Sequence, residues 1–219
     1  YIYSGDIAIV TLQYSYLPSW LTLMVEPDLA RQAANQLFRV IFGYWTTLPR
    51  DNRPELYLYG LSLGALGSAD SPDLISILAD PINGALWSGP PFMSRTWNAL
   101  TRGRQEGSSQ WLPVFNDSSM IRFMNQDGFP EMADVEWGSL RIVYLQHASD
   151  PMTFFSINLA YERPDWLGPD RGRDVSPYLK WFPVISFFQI AFDIPMATSV
   201  PLGYGHNFSP AEYIDAWIE

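Results

Sequence analysis

Short apolar runs and one long amphipathic run alternate along the chain, a pattern typical of an α/β protein. Residues 6–14 form a β-branched apolar run that predicts a parallel strand covered on both faces. The next apolar residues recur at helical spacing and predict a helix over residues 26–48. Further strands are predicted at residues 55–59, 83–88 and 140–146. The order strand, helix, strand implies parallel pairing across a crossover.

The remaining segments predict connections and one insertion. Residues 111–115 and 120–123 flank a polar turn and predict a β-hairpin. An insertion at about 92–135, after the carboxyl end of a strand, would lie over the cleft as a lid or rim; a surface excursion without a role is the alternative. A helical stretch is predicted to end at residues 75–78, and a capping box at residues 209–212 predicts the start of the last helix.

Composition narrows the class of function. The 219 residues fit a single α/β domain, and the charge of −10 with 13 scattered basic residues disfavours nucleic acid and anionic lipid surfaces. The absence of cysteine excludes disulfides and thiolate chemistry, and no apolar run reaches the roughly 20 residues of a membrane span. Two histidines without ligand spacing, and no phosphate-binding glycine motif, disfavour a metal or nucleotide enzyme, so no metal and no cofactor is expected.

The third predicted element leads directly into Gly-x-Ser-x-Gly at residues 60–64, followed by small residues that begin a helix. Strand, sharp turn and helix form the context of a nucleophile elbow, with Ser62 at the tip. Glycine is expected to be required at both Gly60 and Gly64, because the chain crosses close to itself there and a side chain would clash. The N–H of Leu63 is expected to point at a developing oxyanion. The alternative is a tight strand-to-helix turn with an ordinary serine.

A carboxylate that orients a histidine is expected at the carboxyl end of a later strand, where Asp150 lies. The alternative for Asp150 is a turn-initiating aspartate before proline. Asp165, Asp170 and Asp174 compete with it, but they lie in a loop rich in proline, glycine and arginine, where charged residues are usually solvated.

His147 and His206 compete for the role of general base. The hydrolase order of serine, acid and then histidine, with the histidine in a loop before the last helix, selects His206. His147 precedes the acid and is left with a supporting or cleft-lining role.

Five segments of the chain together carry a resemblance that is more specific than the elbow alone. They are residues 9–20, 60–64, 110–114, 144–151 and 174–177. They resemble a family of bacterial α/β-hydrolases that forms the C-terminal, soluble part of proteins whose N-terminal part is a set of membrane helices. The resemblance covers essentially the whole chain and implies Ser62 as nucleophile, with Asp150 as acid and His206 as base. Leu61 departs from the expected acidic residue, and Tyr204 stands where a second histidine often occurs.

Together these observations predict a serine esterase that cleaves an ester through an acyl-enzyme on Ser62. An apolar acyl, lipid or envelope ester is favoured by residues expected near the cleft. Those residues are Tyr16, Trp20, Phe92, Trp97 and His147. The alternative is a non-catalytic hydrolase-like module that binds a lipid or a partner protein. The resemblance implies a membrane-associated protein with a soluble catalytic domain, the extracytoplasmic side being favoured.

The sequence contains no clear source for the second N–H donor of the expected oxyanion hole. A second oxyanion donor is expected from the loop after a strand two strands before the elbow strand. Counting back from Ser62, the chain provides only the predicted strand at 6–14. We therefore expect residues upstream of Tyr1 to belong to the native domain, and the resemblance implies a membrane-embedded part there. The loop at residues 15–20 is the only substitute, so the 219-residue chain alone is expected to be a weak or inactive esterase prone to association.

Overall fold

The computed structural model describes residues 6–72, 79–130 and 135–218. Its centre is a sheet of four parallel strands in the order β1, β2, β4, β3. The strands are β1 Tyr57–Leu61, β2 Gly84–Ser88, β3 Ile121–Met124 and β4 Arg141–Leu145. The α/β fold and the strands predicted before the elbow, at 83–88 and at 140–146 are therefore confirmed. The helical stretch predicted to end at residues 75–78 falls outside the described residues.

Helices surround this sheet. Their bounds are α1 Ser19–Val25, α2 Pro27–Thr47, α3 Leu63–Asp70, α4 Arg95–Arg102, α5 Pro151–Phe154, α6 Ile185–Asp193 and α7 Pro210–Ile218. Short 3-10 turns lie at Arg50–Asn52, Ile157–Ala160, Asp165–Leu167 and Ile194–Met196. The predicted long helix is confirmed as α2, with a proline in its first turn. Within the described ranges, no helix is both long and apolar enough to cross a membrane.

The middle of the sheet is buried on both faces, which holds the ends of its strands in place, whereas Tyr59 and Leu61 of the edge strand β1 are exposed. All five residues of β2 are buried because β2 lies between β1 and β4. On one face Tyr144 stacks on Phe123 at 5.0 Å and meets Trp87 edge to face at 5.2 Å. On the other face Leu86 and its strand neighbours pack against Phe208 and α7. The loops at the carboxyl ends of the strands are thus anchored to a rigid base.

The predicted first strand is wrong. Residues 6–14 have no regular secondary structure, and most of their apolar side chains are exposed, with Ile9 at 79%. In the described sheet, β1 pairs with β2 alone, so its other edge has no neighbouring strand. A strand needs a partner for its backbone N–H and C=O groups, and the apolar pattern of residues 6–14 does not supply one.

The predicted hairpin is also wrong. Residues 111–115 contain no strand, whereas Ile121–Met124 is β3 and runs parallel to β4. Pro113 cannot donate to a strand ladder, and Phe123 buries its ring against Tyr144 of β4 instead. The segment predicted as an insertion therefore supplies an edge strand of the sheet, and its role as a rim over the cleft stays a prediction.

Candidate active site

Ser62 lies on the sharp turn between β1 and α3, with φ 58° and ψ −120°. A side chain at Gly60 would overlap the backbone of Gly64, so the expected close crossing is present. The prediction that position 64 also requires glycine is wrong, because a Cβ built at Gly64 meets nothing within 4 Å. Gly64 contributes only its backbone, which lies close to Gly60. The N–H of Ser62 donates to the carbonyl of Ser88 at 2.9 Å, which ties the turn to the end of β2.

Leu63 is the first residue of α3. The first N–H groups of a helix have no intrahelical acceptor, and Leu66 is the first in α3 to donate, to the carbonyl of Ser62 at 3.1 Å. The N–H of Leu63 and the positive end of the helix dipole therefore lie beside the hydroxyl of Ser62. This arrangement can stabilise negative charge that develops on a carbonyl oxygen under attack.

Asp150 lies in the loop after β4 and caps the N-terminus of α5. Its Oδ1 accepts the N–H of Met152 at 2.8 Å, and its Oδ2 accepts the hydroxyl of Thr153 at 3.1 Å. The carboxylate is completely buried, and these donors fix its orientation. Its Oδ2 also lies 2.6 Å from Nδ1 of His206. The aspartate thus begins a turn, as the alternative proposed, and contacts the histidine as well.

His206 lies in the loop before α7, and its backbone N–H donates to the carbonyl of Ala197 at 2.8 Å. Because the carboxylate of Asp150 accepts from its Nδ1, that nitrogen carries the proton and Nε2 presents a lone pair. The imidazole lies against Gly89, where a Cβ would stand 2.8 Å from Nδ1 and would overlap Cε1. Gly89 follows Ser88, whose carbonyl accepts the N–H of Ser62, so the imidazole and the turn of Ser62 both contact the end of β2.

Two polar atoms at this meeting point are buried without a hydrogen bond in the described part of the chain, namely Ser62 Oγ and His206 Nε2. Leaving a buried polar group unpaired costs free energy, so each such group in a folded protein calls for an explanation. A catalytic role is one such explanation. A hydroxyl and an imidazole nitrogen without protein partners are suited to proton transfer with a bound substrate. The structure therefore joins Asp150 to His206, and it places His206 and the turn of Ser62 at the same end of the sheet.

The residues expected to line a substrate cleft are not all near this point. Phe92 packs in a cluster that includes Leu63 and meets Phe155 at 5.0 Å, so its ring lies beside the elbow. Tyr16 is 96% exposed and Trp20 lies on α1 at the surface. The expectation is wrong for Trp97, because its ring is in the core and its indole N–H donates to Gln146 at 2.7 Å.

His147 also departs from the expected cleft-lining role. It is fully buried, with one ring nitrogen at the carbonyl of Gly205 and the other at Glu212. Of the competing acids, Asp165 pairs with Arg104 at 2.9 Å and Asp174 accepts the N–H of Ser149 at 2.7 Å. Neither contacts a histidine.

A cavity of about 640 Å³ opens on the far side of the acid. Ser149, Asp150 and Pro151 form one wall, and residues of α6 and of the loop before it form the other. Neither Ser62 nor His206 is among the residues that line it. The cavity is therefore separate from the point where the reacting atoms meet.

Sequence reasoning missed Gly89 and Thr153, which complete the site. The sequence signal for Gly89 is a glycine directly after a predicted buried strand, and its φ of 51° in the structure explains why glycine is required there. Thr153 gave no local signal, because its role depends on the N-terminal turn of α5 bringing its hydroxyl back to Asp150.

A parallel sheet whose strand turns sharply through a serine into a helix, with an acid and a histidine on later loops, defines the α/β-hydrolase class of protein. A family model described as an alpha/beta-hydrolase family matches residues 1–219. The chain therefore belongs to the α/β-hydrolase family. Searches among curated proteins and among solved structures found no match.

Proposed function

We propose that the protein is a serine hydrolase that cleaves an ester through an acyl-enzyme on Ser62. The observation that carries this proposal is the 2.6 Å contact between Asp150 and His206 Nδ1, which leaves Nε2 unpaired beside the elbow. In the proposed reaction Nε2 takes the proton of Ser62 as Oγ attacks the ester carbonyl. The N–H of Leu63 stabilises the oxyanion that forms.

The second half of the cycle uses the same groups. The imidazolium of His206 donates its Nε2 proton to the leaving alkoxide, and the acyl group remains on Ser62. Water then gives a proton to Nε2 as it attacks the acyl carbonyl. The bond from that carbonyl to Ser62 Oγ breaks, Nε2 returns the proton to Oγ, and the acid is released. Asp150 keeps the Nδ1 proton in place throughout and stabilises the imidazolium when it forms.

Apolar acyl chains are the proposed substrate class because the ring of Phe92 lies beside the elbow in a cluster with Leu63, Met152 and Phe155. Apolar walls next to reacting atoms favour an apolar ligand. We expect activity on p-nitrophenyl esters to rise with acyl length before it reaches a limit set by that wall. A rate that does not vary between acetyl and octanoyl esters would contradict this substrate class.

Covalent labelling tests the proposal against its main alternative, a hydrolase-like module that binds a lipid or a partner without turnover. A fluorophosphonate probe is expected to add one phosphonyl group to the native protein, on the peptide that contains Ser62. Ser199→Ala, a change at an exposed serine, is the control and should label like the parent. A parent protein that stays unmodified would favour the binding module, and labelling that persists in Ser62→Ala would show that the reactive nucleophile is another residue.

A further inference from the structure

His147 is a buried titratable side chain that the proposed reaction does not use. Its ring is completely buried and stacks on Phe208 with 4.3 Å between ring centroids. Nδ1 lies 2.9 Å from the carbonyl oxygen of Gly205, and Nε2 lies 3.1 Å from Oε1 of Glu212. Glu212 is itself buried, at 5% exposure. Both ring nitrogens are thus committed to groups in the segment that carries His206.

The partners determine where the protons lie. A backbone carbonyl only accepts, so Nδ1 of His147 must carry a proton. The second contact then joins Nε2 to a carboxyl group, and a hydrogen bond there requires one proton on either His147 or Glu212. The pair therefore holds one shared proton, as imidazolium with carboxylate or as imidazole with carboxylic acid. If that proton is removed, a lone pair faces a carboxylate in a buried site, and the contact becomes repulsive.

His147 and Glu212 make hydrogen bonds to the loop on both sides of His206. The carbonyl of Gly205, the preceding residue, is held by His147, and Oε2 of Glu212 accepts the N–H of Ser209 at 2.6 Å. The predicted capping box at residues 209–212 is confirmed by this contact and by the N–H of Glu212, which donates to Ser209 Oγ at 3.4 Å. The N–H of Gly205 also donates to Ser149 Oγ at 2.9 Å. A shift at either contact, at Gly205 or at Ser209, would therefore move the imidazole of His206.

We propose that His147 and Glu212 are positioning residues that hold His206 in reach of Ser62 only while they share a proton. Loss of that proton at alkaline pH loosens the loop and withdraws the imidazole from the elbow. This inference rests on the proposed function for the role of His206, but the state of the loop can be measured without turnover.

The electrostatic surroundings of the pair favour the shared proton, because they shift the pKa of each partner in the direction that keeps the imidazolium and the carboxylate. Burial acts to lower the pKa of His147, but the hydrogen bond and charge of Glu212, the carbonyl of Gly205 and the charge of Asp150 together raise that pKa above its ordinary value of 6.5. Burial acts to raise the pKa of Glu212, and its bonds to His147 and Ser209 bring it below its ordinary 4.5. Glu212 on α7 and Asp150 after β4 are the ionisable groups that face His147; His206 lies beyond the ring of Phe208.

The direction of the pH dependence follows from these two shifts. A raised histidine pKa contributes stability that is fully present below about 6.5 and is lost as the pH rises through the higher folded value. A lowered glutamate pKa contributes stability that is present above about 4.5 and is lost as the pH falls through the lower folded value. The contacts with the loop are therefore strongest between the lowered pKa of Glu212 and the raised pKa of His147, and they weaken as the pH rises through the latter.

The decisive variant is Glu212→Gln, because an amide can make the same contacts without a shared proton. Its carbonyl oxygen can accept from Ser209, and its NH₂ group can donate to Nε2 of a neutral His147 that keeps its Nδ1 proton for Gly205. In the parent we expect kcat to decline on the alkaline side, and in the variant we expect this decline to move up by at least about one pH unit or to vanish, since nothing in the variant pair remains to titrate. Glu106→Gln, a change at an exposed glutamate, is the control and should keep the parental profile.

A second variant tests the hydrogen bonds of His147 to the loop. His147→Phe keeps a ring stacked on Phe208 but removes both polar contacts, so we expect kcat to fall about 10- to 100-fold with a smaller change in KM. The chain has two histidines, so in this variant a ¹⁵N-histidine spectrum reports on His206 alone. The low-field proton of the bond to Asp150 should broaden in the variant, and in the parent it should broaden only at alkaline pH.

The outcomes separate this inference from the proposed function. An esterase activity that survives Ser62→Ala would overturn the proposed function. The histidine spectra would still test whether His147 and Glu212 hold His206 in place. A parental alkaline limb retained in Glu212→Gln, or a His206 signal that stays sharp across the pH range in folded His147→Phe, would overturn the positioning role. If His147→Phe fails to fold, the comparison of Glu212→Gln with Glu106→Gln still decides.

Discussion

Ser62→Ala and His206→Ala are each expected to lower kcat for an ester on the order of 10⁴- to 10⁶-fold, and the double variant is expected to lose little more. The reason is that the hydroxyl and the imidazole act in one step, so the second removal takes away a group that already has no partner. Steady-state kinetics with a chromogenic ester, on protein whose fold is checked by circular dichroism, measures the effect. A His206→Ala rate within about threefold of the parent would place the general base elsewhere.

Gly89→Ala is expected to reduce kcat by about 100-fold or more while KM changes less. The new methyl group would overlap the ring of His206, which is rigid and held at Nδ1 by Asp150, so the imidazole must leave its position. Part of any loss of stability comes from the backbone, because Gly89 has φ 51°.

Gly107→Ala is the matched control for Gly89→Ala. Gly107 also has a positive φ, 87°, but a Cβ there meets nothing within 4 Å. This variant carries the backbone strain without the contact with the imidazole, and we expect parental kcat with a somewhat lower melting temperature. Equal losses of kcat in the two variants would attribute the effect to backbone strain alone, and Gly89 would then have no specific role beside His206.

The parts of the site that the sequence predicts are those whose signals are local. The elbow is contained in residues 60–64, and the contacts of Gly60 with the turn follow from their spacing. Asp150 and His206 were selected by their order and by their positions after a strand and before a helix, and the structure brings them within 2.6 Å. The capping box was found for the same reason, since its residues lie three apart.

The predictions that failed depend on partners far along the chain. An apolar run becomes a strand only where another strand lies beside it, and residues 6–14 have no such neighbour in the described sheet. The choice between a hairpin and a parallel edge strand for β3 depends on its pairing with β4 and on the ring of Tyr144, about 20 residues away. His147 and Glu212 are 65 positions apart, so neither one's sequence neighbourhood indicates the pair.

The backbone of Ser62 has a consequence for how this protein responds to selection. A serine at φ 58° occupies a conformation that glycine tolerates and other residues adopt at a cost on the order of 1–3 kcal/mol. A glycine at this position would relieve that strain and would also remove the proposed nucleophile. Heat challenge alone would therefore reward chains that have lost their chemistry, since stabilising changes at strained functional residues are commonly bought with activity. A thermostable version of this hydrolase has to be selected on turnover and melting temperature together.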